Sequence, residues 1–461
     1  MPDTTADVPS ERTGKRAIDR VAACVLELRP EDIPAPTLAR SALLLLDTLA
    51  ICASSAPMEA GRIARETAVR LFRSGDDADA ARMLFDGRSV SLAGAVYAAA
   101  TQTDNLDGHD GFNPAKGHVG VAVVPALAAL SGALPDLTGP EALAALVVGY
   151  EVASRAGIAL HGTVADYHTS GAWNALGVAA MAVRLRGGDA KCLRQALGIA
   201  EYHGPRSQMM REIATPTMLH DGSGWGGLAG MTAAILAEAG FTGAPAITVE
   251  GEDVGAYWDD LGQVWLTDQQ YIKPYPTCRW GHGAIDAART ILDRDAPNVA
   301  EIAEVRINTF AAGAALFAGM PSTTSEAQYS LPFAVAAMLA KGRVGMEEIT
   351  GAGLSDPAVA ALVAKTRVRV APRHEARFPA GRWADVELVI ADGRVLASGD
   401  TDARGGPTTQ FTDDEIIAKY RAFAEPALGE ARAEAMLAAG LALTRPGSRF
   451  TDLTAHIYDP V

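Results

Sequence analysis

The chain is short of the residues that mark several familiar chemistries. Its four cysteines, Cys24, Cys52, Cys192 and Cys278, lie far apart and form no CxxC pair. That argues against a structural zinc site or a disulfide framework and fits a reducing cytoplasm. Basic residues do not dominate: 40 Lys and Arg face 55 Asp and Glu, a formal charge of −15. A nucleic-acid binder normally shows a basic surface, so none is expected here. A small anionic substrate remains compatible, provided a few Lys and Arg build a local pocket. No leader-like apolar core is seen in MPDTTADVPSERTGKR. The run ALLLLDTLAICA carries Asp47 and falls short of the ~20 apolar residues a bilayer needs, so it reads as a buried helix and no membrane partner is expected. DGSGWGG lacks the GK[ST] of a P-loop and follows no strand, which leaves little support for nucleotide binding. Internal repeats and low-complexity tracts are absent.

What is present is a globular composition, 49% hydrophobic and 21% charged, over a length sufficient for a large core and two domains. From about residue 14 to 240 Ala and Leu recur at three- and four-residue spacing, which predicts helices, including segments at 88–103, 118–132, 170–186, 189–202 and 224–240. In LTGPEAL, Thr138 suits an N-cap, Pro140 the first turn and Glu141 the positive helix end. β-Alternation is almost missing before residue 260. It appears in EVRINTF (304–310), TRVRVAP (366–372) and ADVELVIADGRVLASGD (384–400), with helical patterns at 283–294, 324–341 and 356–365 between them. TDARGGPTTQ reads as a linker, and helices resume after it. The expected fold is mainly α: a helical domain of residues 1–270 plus 401–461, with a smaller α+β domain, 271–400, inserted before the last helices. The boundary between two such domains is a common ligand site.

Seven of the nine histidines fall between residues 109 and 282. The densest cluster is TDNLDGHDGFNPAKGHVG, which brings Asp107, His109, Asp110, Lys116 and His118 within twelve residues separated by glycines. Glycines permit tight backbone paths, and a helix start after His118 favours an anion. A second cluster, ADYHTSGAW, sets His168 beside a helix start. A third, IKPYPTCRWGHGAID, projects Lys273, Tyr275, Arg279 and His282 from a proline-stiffened segment at the domain boundary. Arg can take a carboxylate through two parallel hydrogen bonds, which suits a small diacid or triacid. A fourth, EYHGPRSQMMREIATPTMLHDGSGWGG, offers Arg206, Arg211 and His220. The two His and two Asp of the first cluster could suggest a metal. There is no HExxH or HxH, however, and Lys116 would repel a cation, so a site without metal or organic cofactor is expected.

These clusters, in this order, resemble the MmgE/PrpD family, which contains 2-methylcitrate dehydratase, cis-aconitate decarboxylase and iminodisuccinate epimerase. The carrying motifs are LDGHDGFNPAKGHVGVAVVPALAA, YHTSGAWNALGVAAMAVRL, HDGSGWGGLAGMTAAILAEAGF, IKPYPTCRWGHGAIDA and EAQYSLPFAVAAML, spanning about residues 15 to 440. The resemblance implies a multihelical fold with an inserted α+β lid, a homodimer and a small polycarboxylate substrate. The dehydratase and decarboxylase branches look like DFDDTxHPxxHPS in the first motif. Here Asp107, Asp110 and His118 match, Gly111 replaces the threonine, one residue is added and Lys116 appears. A lysine of the decarboxylase-like TKPLH stretch is missing from TPTMLH. The HDG…KGH and KPYPxCRW forms look more like the iminodisuccinate epimerase branch. The resulting expectation is a cofactor-independent epimerase of a small imino- or amino-linked dicarboxylate. Lys116 and His118 would form one acid/base wall and His168 or Tyr275 the other. Lys273, Arg279, Arg206 and His282 would contact substrate, and Asp107 and Asp110 would orient His109, His118 or Lys116. A lyase using the same residues, and a non-catalytic diacid-binding protein, are the alternatives.

Overall fold

The computed structural model describes residues 9–75, 77–406 and 408–461. The chain is mainly α-helical with a smaller mixed sheet unit. At the centre of the helical part lies Gly139–Thr163, buried along most of its length. Its start follows the residues noted above: the Thr138 hydroxyl accepts from the Glu141 amide, and the Glu141 carboxylate accepts from Thr138, an N-terminal box that satisfies donors a helix otherwise leaves orphaned. Gly171–Leu185 packs on this helix at a glycine crossing. A Cβ on Gly177 would come within 2.4 Å of the Gly149 carbonyl oxygen, so only glycine allows the two backbones this close. Gly120–Ser131, Ala190–His203 and Ser223–Glu238 pack on the pair, and Leu92–Asp104 packs on the first and last of these. Ala35–Ser55 and Gly139–Thr163 are long and apolar enough to cross a membrane by composition, yet both are largely buried within the fold.

The sheet unit holds strands in the order Thr366–Val370, Ile302–Thr309, Trp383–Ile390, Val395–Ala397. The first two pair in parallel and the others antiparallel, with Thr401–Asp402 adding to the end of Trp383–Ile390. Val305, Ile307, Val386 and Leu388 bury one face, and His282–Asp295 packs against Trp383–Ile390.

Three details differ from the sequence reading. A short antiparallel pair, Ala80–Arg82 with Ser89–Ser91, precedes residue 260 and shortens the first of the helices listed. The 324–341 helix is broken into Thr324–Gln328 and Leu331–Lys341, because the Ser330 hydroxyl caps a new helix with Pro332 in its first turn. Residues 401–406 are not a free linker. Ala403 is buried, Gly405 donates to Thr409 while its carbonyl accepts from Ile272, and carbonyls of Ala403 and Arg404 serve the site described next. Pro407 lies outside the described residues.

Candidate active site

The polar loop between Leu92–Asp104 and Gly120–Ser131 is held in a path that side chains rarely tolerate. Asp107 and Lys116 both take left-handed backbone angles, φ 55° and 56°. Non-glycine residues in that region store strain that the surroundings must override, and such residues cluster at functional sites. The surroundings here are specific. Gly111 exchanges backbone hydrogen bonds with Tyr271, at 3.1 and 2.7 Å, which ties the loop to the 271–281 segment. A Cβ on Gly111 would lie 2.3 Å from the Tyr271 hydroxyl and 2.8 Å from His118 Nδ1. Gly111 therefore lets a phenol and an imidazole share one small space.

Those side chains line a tight cleft. Four cations face it, Lys116, Lys273, Arg279 and Arg382, against two carboxylates, Asp107 and Asp221. Lys273 is paired with Asp107 and donates to its carbonyl at 3.1 Å. Burial opposes its charge, but Asp107 and Tyr271 outweigh burial and hold the ammonium above its ordinary pKa. The other three cations have no carboxylate partner among the described residues. Arg279 spends its donors on the carbonyls of Ala403 (2.9 Å) and Arg404 (2.5 Å) and lies over the Tyr271 ring. Arg382 donates to the Pro379 and Gly381 carbonyls. The Nε of each arginine is buried without a partner. Burial pushes Arg279 down to about 10, and it lowers Arg382 and Lys116 as well, with Arg382 adding to the effect on Lys116. The three are thus a cationic cluster whose like charges oppose one another, an arrangement that a bound polyanion would relieve.

His118 is set up as a base. Its Nδ1 lies 2.6 Å from the Asp110 carbonyl, which can only accept, so Nδ1 carries the proton and Nε2 keeps its lone pair. Nε2 is 3.6 Å from Asp221, which also lines the cleft. Burial first, then Lys273, lowers the His118 pKa, so the ring is neutral near pH 7. Asp221 is itself held by the Ser170 hydroxyl and amide at the start of Gly171–Leu185, and that hydroxyl accepts the His118 amide at 2.9 Å. Burial raises the phenols of Tyr271, to about 12, and of Tyr167 and Tyr329, so all three keep their protons. The cleft therefore combines one neutral base, several protonated donors and an unpaired cationic cluster.

Of the residues singled out from sequence, Asp107, Lys116, His118, Lys273 and Arg279 meet at this cleft. Asp110 and His109 stand behind it. The Asp110 carboxylate accepts from the Gly120 amide and the Tyr150 hydroxyl, and burial lifts it to about 7. His109 packs edge-on against His118 with ring centroids 4.5 Å apart and lies 3.4 Å from Asp104. His282 bonds to Thr277 and lies 3.5 Å from Arg279 Nη1, so it backs that guanidinium without lining the cleft. Three residues are placed elsewhere. Tyr275 donates to Asp286 at 2.8 Å, the His168 amide donates to His161, and Arg206 is exposed. Sequence reasoning missed Asp221, Tyr271, Tyr329 and Arg382. Asp221 and Tyr271 adjoin His220 and Lys273, so proximity to quoted motifs was a usable signal. Arg382 sits in GRW, beside a stretch read only as a strand and apart from the four clusters of titratable residues, and carries no such signal.

The donor set does not suit a metal in the cleft, since cations outnumber carboxylates there. Among the described residues, His374, Asp385 and Asp400 could reach a common ion, but Arg373 and Arg377 already pair with these carboxylates.

Comparison with known proteins places this site in context. Residues 19–258 match the model of the MmgE/PrpD N-terminal domain, and residues 275–443 that of the MmgE/PrpD C-terminal domain. The cis-aconitate decarboxylase-like protein oryM of Aspergillus oryzae is 24% identical over 450 residues, covering 88% of this chain and 90% of that protein.

Proposed function

The chain belongs to the MmgE/PrpD family, and from that premise we propose that it is a cofactor-independent lyase acting on a small polycarboxylate by proton transfer at a carbon beside a carboxylate. The observation that carries this reading is the pairing of neutral His118 with three cations that have no acidic partner among the described residues. Carboxylates of the substrate would supply the missing anions to Lys116, Arg279 and Arg382. Held beside them, the developing negative charge on the α-carbon and its carboxylate is stabilised by preorganised donors. His118 Nε2 takes the carbon-bound proton, and Lys116 or a cleft phenol returns one to the leaving hydroxyl. In a decarboxylating variant the same cations hold the carbanion left by carbon dioxide until it is reprotonated. The similarity to a cis-aconitate decarboxylase-like protein supports the lyase class.

The second reading is epimerisation of an imino-linked dicarboxylate. It is favoured by Lys116, a half-buried ammonium with a lowered pKa that lines the cleft together with His118 and could deliver a proton as His118 removes one. His168 and Tyr275, the partners expected for the opposite wall, do not line the cleft. Either reading takes a small polycarboxylate as partner. A homodimer belongs to the same proposal, and exposed Tyr202, Leu219 and Trp225 offer apolar surface for it.

Proton NMR in deuterium oxide separates the readings. With citrate, 2-methylcitrate and cis-aconitate, new vinyl signals or loss of a carboxyl group mark a lyase. With iminodisuccinate, deuterium entry with interconversion of stereoisomers marks an epimerase. No change in any of them would overturn both.

A further inference from the structure

Lys419 lies outside the cleft, on the Asp413–Leu428 helix, and carries its charge in the core with only 8% exposure. Its ammonium sits 2.6 Å from one oxygen of Asp47 and 2.9 Å from the other, and donates to the Gly108 carbonyl at 2.7 Å. Asp47 is fully buried on Ala35–Ser55. One turn further along that helix, Ile51 closes on the other side of the loop, since a Cβ on Gly108 would lie 2.7 Å from Ile51 Cδ1. The active-site loop is thus gripped between Ile51 and Lys419.

Stability does not account for this ion pair. Two charges lose their hydration on burial, and an apolar pair of equal volume commonly holds a core as well or better. The third bond distinguishes Lys419. Gly108 follows a left-handed Asp107, and Lys419 is the donor that its carbonyl finds among the described residues. On one side of Gly108 stands Asp107, which holds Lys273, and on the other, two residues on, stands Asp110, whose carbonyl fixes the His118 tautomer.

We propose that Lys419 is a positioning residue: held by Asp47, it pins the Gly108 carbonyl and thereby sets Asp107 for Lys273 and Asp110 for His118. Its charge acts on the same loop, favouring the Asp110 carboxylate and opposing protonation of His109. The proposal rests on the cleft being the active site, but its physical content can be read without turnover.

The test replaces the pair as a unit, Lys419→Met with Asp47→Leu, so that no lone charge is left in the core. Amide hydrogen exchange of the full-length protein is followed on peptides covering 105–120, with Gly171–Leu185 as reference and the unfolding midpoint as a check of the fold. Loss of a charge-assisted hydrogen bond predicts exchange in the loop about tenfold faster or more, with the reference unchanged. In the NMR assay, turnover falls about 100-fold with little change in KM, the scale of a misplaced catalytic group. Asp47→Asn, which keeps the lysine but removes its countercharge, gives a smaller acceleration and serves where the double variant does not fold. Loop exchange equal to wild type in either folded variant overturns the proposal. Loosening of the loop alongside a wild-type protein that turns over none of the acids would uphold the positioning role and sink the lyase and epimerase readings instead.

Discussion

Two arginine-rich clusters in this molecule have similar side chains and opposite electrostatics. In the sheet unit, Arg373, Arg377, His374, Asp385 and Asp400 form a closed network: His374 lies 2.7 Å from Asp385, and Arg373 and Arg377 reach Asp400 at 2.9 and 3.0 Å. Every cation there has an acid. In the cleft, Arg279, Arg382 and Lys116 have none among the described residues, and the arginines turn to backbone carbonyls instead. The first cluster is complete by itself. On the proposed function the second would be completed by a bound anion, and that difference, rather than the residue types, would separate a structural cluster from a binding one.

The comparison can be broken most sharply at His118. His118→Asn keeps a side chain of similar size but removes the base, and should cost about 10²- to 10⁴-fold in turnover, measured by NMR. The cations come next. Arg382→Met should raise KM about tenfold or more, because it leaves a buried carboxylate of the substrate unmatched. It should leave the unfolding midpoint of the free protein unchanged or higher, since it removes a like charge. A fall in stability with KM unchanged would show that Arg382 belongs with the structural kind. A smaller effect is expected at Asp110, whose carboxyl sits at about 7 in the fold against an ordinary 3.8. Between those values the folded protein binds more protons than the unfolded chain. Its contribution to stability is therefore full below about pH 4 and is lost as pH rises through 7. Asp110→Asn should remove up to about 1 kcal/mol per pH unit of that decline, read from denaturant unfolding between pH 4 and 7. The smallest effect is expected at the closed network. Arg373→Met, at a side chain that is 50% exposed, should cost under about 1 kcal/mol and leave KM and turnover as they were.

Much of this was legible in the sequence, and the rest had a physical reason to be hidden. The helices announced themselves through Ala and Leu spacing and through Thr138, Pro140 and Glu141. The polar loop stood out because Asp107, Lys116 and His118 interrupt two apolar segments. These signals are local. Arg382 reaches the cleft from just before the Trp383–Ile390 strand, 264 residues beyond His118, a meeting fixed by tertiary packing alone. Residues 401–410 looked like a linker because Gly, Thr and Pro favour turns, yet their carbonyls are what Arg279 requires. His168 and Tyr275 drew notice for their neighbours, but Tyr275 is taken up by Asp286 and neither lines the cleft.

The order in which the cleft's charges occur along the chain has a consequence for a protein made from its N-terminus. Asp107, Lys116 and Asp221 are synthesised first, and Lys273, Arg279 and Arg382 follow. The first half of the chain therefore carries both acids of the cleft with one of its four cations, and the other three come with the second half. The two carbonyls that hold Arg279, from Ala403 and Arg404, arrive later still. On the proposed function, anion binding would thereby wait until nearly nine-tenths of the polypeptide exists, a timing written into the chain by the sequence positions of a few side chains.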